Sequence, residues 1–82
     1  ELWTREQIVQ ACELTMLLYA GWEAAGNPGT KDPVVIRKIR AGYAGVEMFC
    51  LTAPTTPITS LAAGTSAIKA FRAELAAAKA GA

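Results

Sequence analysis

Apolar side chains recur at helical spacing from the start of the chain. Ile8, Ala11, Cys12, Thr15, Leu18, Tyr19 and Trp22 form one stripe, and Glu6, Gln10 and Glu13 fall away from it. Thr4 to Gln7 fits a capping box, in which the Thr4 hydroxyl accepts from the Gln7 N–H and the Gln7 amide reaches back to the N–H of Thr4. Trp3 and Ile8 then hold the two positions of a hydrophobic staple. The pattern predicts a first helix over residues 5–24, ended by "GNPG", whose glycines favour positive φ and whose proline pushes Asn27 out of the α region.

A second helix is predicted over 33–41, with Asp32 as N-cap, Pro33 at N1, and Val35, Ile36 and Ile39 on its inner side. Gly42 stands where that helix would stop. A third apolar stretch over 44–52 presents Val46, Phe49 and Cys50 on one face and reads as a helix, although its β-branched and aromatic content leaves a strand possible. "APTTPITS" reads as an extended or turning connection. Thr65 can cap a last helix over 66–79, with Ile68, Phe71, Leu75 and Ala78 on one face. The expected fold class is therefore all-α: three to four short helices in a single small domain over residues 1–82. The expected core contains Trp3, Ile8, Leu18, Ile39, Val46, Phe49, Ile68, Phe71 and Leu75.

Composition adds that such a domain is marginal alone. A chain of 82 residues buries only about 60 to 65% of its unfolded surface. With 52% apolar and 18% charged residues, much of the apolar share being alanine, association with another chain or a second copy is a standing expectation. The longest apolar run, Leu14 to Trp22, is well short of the ~20 residues of a bilayer span, and no leader pattern is visible within the chain. No membrane span and a cytoplasmic location are expected. Cys12 and Cys50 lack a metal or redox spacing and are expected as buried small hydrophobes, with a disulfide as the alternative in an oxidising compartment.

Histidine is absent, which excludes Ser–His and Cys–His nucleophile pairs, histidine bases and histidine metal sites. Two cysteines cannot close a zinc site, and the carboxylates are scattered, so no metal, no cofactor and no enzyme activity are expected. "GNPGTK" lacks both the GxxxxGK[ST] spacing and the preceding strand of a phosphate loop, and reads as a turn.

What remains is charge asymmetry within a net charge of only +1. Residues 1–25 carry Glu1, Glu6, Glu13 and Glu23 against Arg5, whereas residues 31–40 carry Lys31, Arg37, Lys38 and Arg40 against Asp32. Four clustered cations could neutralise DNA phosphates by counterion release. The same cations also suit the negative end of a helix dipole as an ordinary solvated face.

The order "WTREQI", "DPVVIRKI", "AGYAGVEMFCL", "SLAAGTSAIKAFRAEL" resembles the small helical domain N-terminal to the nuclease in many bacterial HNH-type restriction endonucleases. Trihelical helix-turn-helix and Myb/SANT folds open with a similar tryptophan-led start. The resemblance implies a helix-turn-helix-like core and a non-catalytic, DNA-associated module. Departures lie where function would sit: Gly42, Tyr43 and Ala44 replace the family's G-R-T turn, and Phe49 stands at its basic position. "YAGVEMFCLTA" carries no Arg, Lys, Asn or Gln to read base edges. DNA would then be held through phosphates, by Lys31, Arg37, Lys38 and Arg40. The rival reading is a protein-interaction or self-assembly domain in which the acidic first helix of one copy meets the basic second helix of another.

Overall fold

The computed structural model describes residues 3–80. Glu1, counted above in the acidic balance, lies outside the described residues. The fold is all-α, with helix α1 over Arg5–Ala24, α2 over Pro33–Thr52 and α3 over Ala62–Lys79. Two short 3₁₀ turns, Ala53–Thr55 and Ile58–Ser60, join α2 to α3. Among the described residues there is no strand.

The start of α1 follows from its sequence. The Thr4 hydroxyl accepts from the Gln7 N–H at 3.2 Å, and the Thr4 N–H donates to Gln7 Oε1 at 2.8 Å. Replacing Thr4 with Ala should lower the unfolding free energy by about 0.5 to 2 kcal/mol. Amide exchange at Gln7 checks this, because a rate unchanged between wild type and variant would mean that the cap contributes nothing.

After α1 the chain turns through Gly26, Asn27 and Gly29, all at positive φ. Gly29 cannot be replaced cheaply. At φ +92° an added Cβ would collide with the Ala78 carbonyl oxygen at the end of α3. The loop is also held from below by Trp22, whose indole N–H donates to the Pro28 carbonyl at 3.0 Å.

Helix α2 differs from expectation. The two predicted helices, 33–41 and 44–52, are one helix of 20 residues that passes through Gly42 without a break. Gly42 keeps a negative φ. Its surface receives the ring of Phe71 from α3, with Phe71 Cδ1 3.2 Å from where a Cβ would stand. Close packing of α3 thus outweighs the ~1 kcal/mol that a glycine costs inside a helix.

The last helix also begins a turn earlier than predicted, at Ala62 rather than Ser66. Thr65 is not its cap: it is buried in the first turns and donates its hydroxyl to the Leu61 carbonyl at 3.0 Å. Leu61, buried to 1% exposure, anchors the helix start in place of a capping side chain. Gly64 lets α3 approach α2 there, since a Cβ at that position would overlap the Phe49 ring.

The helices pack as neighbours running in alternate directions. Cys12 meets Cys50, Tyr19 stacks on Tyr43 and Arg5 reaches the Ala53 carbonyl at 2.6 Å, so α1 and α2 are antiparallel. Gly64 against Phe49 and Gly42 against Phe71 make α2 and α3 antiparallel in turn. Of the expected core, Ile8, Ile39, Val46, Ile68, Phe71 and Leu75 are buried. Trp3, Leu18 and Phe49 are only half-buried, packed against that core. Tyr19 and Trp22 complete it as an aromatic cluster with Tyr43 and Phe71, the Tyr19 and Tyr43 rings lying 3.9 Å apart and nearly parallel.

Cys12 and Cys50 form a disulfide, against the expectation of two buried thiols. The antiparallel pairing of α1 and α2 brings their Cα atoms to 5.6 Å, inside the range that a disulfide spans without distortion.

Candidate functional site

The basic segment singled out in the sequence is divided by the fold. Lys31 is exposed in the loop before α2, and Arg37, Lys38 and Arg40 are exposed on the first turns of that helix. At 100° per residue, Lys38 and Arg40 lie on opposite flanks of α2 with Arg37 between them. Arg40 leans toward α1 and grips the Glu23 carboxylate, with Nη2 3.1 Å from Oε1 and 3.4 Å from Oε2, and Nε 3.3 Å from Oε1. This is the one ion pair among the described residues. Lys31, Arg37 and Lys38 therefore present their charge outward, whereas that of Arg40 is largely met within the chain.

The Arg40–Glu23 pair belongs to a network that ties α1 to α2. The Tyr19 hydroxyl donates to Glu23 Oε1 at 2.6 Å. That hydrogen bond, followed by the Arg40 guanidinium, holds the Glu23 carboxyl below its usual range despite partial burial. Burial pushes the Tyr19 phenol up, and the Glu23 acceptor adds to this by favouring the protonated hydroxyl. Tyr43 is raised as well, first by burial and then by Glu47.

The sign of the pH dependence follows. A carboxyl held low in the folded state contributes stability above its ordinary range that is lost as pH falls through its folded value. Phenols held high contribute stability below pH ~10 that is lost as pH rises through their raised values. The domain should be most resistant to denaturant between these limits. Ultraviolet titration of tyrosinate should show both phenols ionising later than in the unfolded chain, and coincident titration of folded and unfolded protein would contradict the network.

The outer face of α2 carries a second feature, hidden from the sequence by the supposed break at Gly42. Val34, Arg37, Ala41, Ala44, Met48 and Leu51 follow one another at alternating intervals of three and four residues, and all are exposed. Val34, Met48 and Leu51 are 67%, 64% and 69% exposed and share one register on the helix surface. Alternating intervals of three and four define the seam along which one helix packs lengthwise on another, and the two central alanines permit a close approach. The signal that could have revealed it was this spacing, continuous across Gly42.

The corresponding outward side of α1 is acidic. Glu6, Gln10, Glu13, Leu17 and Ala20 share that side at the same alternating intervals and are exposed, Leu17 to 71%. The chain thus displays an apolar ridge on α2 that carries Arg37 near its N-terminal end, with Lys38 on its flank, and on α1 a ridge that carries Glu6 and Glu13 beside Leu17. Among the described residues, no group of three or more His, Cys, Asp or Glu side chains could hold a metal ion. No described helix is long and apolar enough to cross a membrane. No family model, no curated protein and no solved structure matches this chain.

Proposed function

We propose that this is a non-catalytic helical interaction module that self-assembles, the outer face of α2 in one copy packing on the outer face of α1 in another. The observation that carries this reading is the exposed seam Val34, Arg37, Ala41, Ala44, Met48 and Leu51. Its apolar ends supply the burial that drives association, and the basic Arg37 and Lys38 complement Glu6 and Glu13 on the facing ridge. Sedimentation equilibrium over a range of concentrations tests it. Arg37→Glu with Lys38→Glu should dissociate the assembly, and Glu6→Lys with Glu13→Lys added to that variant should partly restore it. A wild-type monomer at every concentration would end the proposal.

One observation favours a second reading, in which the module holds DNA through phosphates. Lys31, Arg37 and Lys38 are exposed with no ion-pair partner among the described residues. With Arg40 engaged by Glu23, the log–log salt slope of duplex binding should be about −3, falling by about one for each of the three cations removed. Sequence preference should be slight if the exposed cations are spent on phosphates, because residues 43–53 offer no Arg, Lys, Asn or Gln to base edges. Fluorescence anisotropy on a labelled duplex separates the two readings when set beside sedimentation without nucleic acid: a wild-type protein that assembles but binds no duplex at low salt excludes phosphate contact, and one that binds duplex as a monomer at every concentration excludes self-assembly. In a reducing cytoplasm, where disulfides do not persist, either activity would be carried by the dithiol form.

A further inference from the structure

The third helix places its cations on one side only. Lys69, Arg72 and Lys79 fall within about 80° of one another around α3, on the flank that faces α1, while Glu74 lies on the other flank beside Gly42 and Gly45 of α2. Lys69 Nζ sits 4.9 Å from the centre of the Trp3 ring. Arg72 and Lys79 line a shallow groove with Leu18, Ala73 and Ala76. One turn before Leu18, Leu14 stands on the same side of α1 and is 45% exposed. None of the three cations has an ion-pair partner among the described residues. The acidic groups of α1 do not reach the groove, because Glu6 and Glu13 are on the outward side and Glu23 is engaged by Arg40. The result is a furrow between two parallel helices, lined by Leu18 and Leu75 and, along α3, by Arg72, Ala73, Ala76 and Lys79, with no carboxylate among the described residues that line it.

We propose that this α1–α3 groove binds an amphipathic helix of a partner protein, with its apolar face on Leu14, Leu18, Ala73 and Ala76 and a row of carboxylates along the flank that meets Lys69, Arg72 and Lys79. The charge asymmetry selects the occupant. A helix laid between α1 and α3 buries a narrow apolar line and meets charge on one edge, which is the helix-in-groove mode and adds a fourth helix to the bundle. A flat anionic bilayer would instead need apolar groups that protrude beyond the cations, and Leu18 lies half-buried in the furrow. This surface is separate from the α2 ridge, and the proposal does not rest on self-assembly.

The test uses a synthetic amphipathic helix of about 18 residues with leucine along one face and glutamate along one flank, and its counterpart with lysine in place of glutamate. The glutamate peptide should bind, and the lysine peptide should bind at least about tenfold more weakly, because steering and complementarity are reversed. Amide shifts on binding should centre on Leu14, Leu18, Ala73 and Ala76. Lys69→Glu with Arg72→Glu should weaken the glutamate peptide by about tenfold or more, with circular dichroism confirming the fold. Should that pair unfold the domain, Lys79→Glu, exposed near the end of α3, provides the same readout. Equal binding of the two peptides, no binding of either, or shifts that map to α2 would overturn the proposal. So would sedimentation with phosphatidylserine vesicles that is lost in the charge-reversed variants while the glutamate peptide fails to bind.

Discussion

Phe71→Ala lowers the unfolding free energy of this domain by about 3 to 5 kcal/mol, the range for a fully buried aromatic that leaves a cavity behind. Phe71 is 4% exposed and touches all three helices' shared centre. Its ring lies 6.2 Å from that of Tyr19 on α1 and 6.0 Å from that of Tyr43 on α2, both tilted, a geometry that adds to simple burial. It also fills the space above Gly42, where no side chain from α2 can replace it. Small domains hold only about 5 to 15 kcal/mol in reserve, so the variant should be substantially unfolded at mild denaturant concentrations. Chemical denaturation followed by far-ultraviolet circular dichroism gives the answer. A midpoint unchanged within error would mean that α3 does not pack on α2 as described.

Reducing the Cys12–Cys50 bond should cost a comparable amount. Joining positions separated by 38 residues removes chain entropy from the unfolded state worth ~4 kcal/mol on the loop-closure account. Cys12 is 4% exposed, so the freed thiol stays within the core as a small hydrophobe and the folded state loses little else. Denaturation with and without reductant, alongside Cys12→Ala with Cys50→Ala, distinguishes the origin of the effect. The double variant should match the reduced protein to within the cost of the missing sulfur atoms, and reductant should not alter it further. If oxidised and reduced proteins unfold at the same denaturant concentration, the bond does not constrain the chain.

Self-assembly would shift both results. Anything that binds only the folded state adds to apparent stability, and more so as its concentration rises. Measurements on Phe71→Ala and on the reduced protein therefore belong at a concentration below the sedimentation midpoint, where the folded monomer is compared with its own unfolded chain.

Local signals in the amino-acid sequence were enough to determine that the chain is helical, where α1 starts and how its first turn is capped. They also placed Ile8, Ile39, Val46, Ile68, Phe71 and Leu75 inward. Each of these follows from spacing at 3.6 residues per turn or from a hydrogen bond made within four residues, so no distant contact is needed to settle it. The disulfide was half legible: Cys12 and Cys50 both fell on inward stripes, but which helices would be neighbours, and in which direction, is not written locally. Contacts distant in sequence decided the rest. Phe71 resting on Gly42 kept α2 whole where propensity favoured a stop, and the burial of Leu61, with Gly64 closing on Phe49, drew the start of α3 forward past Thr65. The same contacts determined the surface. Only a continuous α2 aligns Val34 with Leu51 on one ridge, and only antiparallel packing of α1 and α2 turns Arg40 onto Glu23, separating it from the cations beside it in sequence. A glycine's helix penalty and a threonine's capping preference are each about 1 kcal/mol, whereas burying one large side chain is worth about 1.5 to 3 kcal/mol, and where local preference and burial conflicted, burial set the structure.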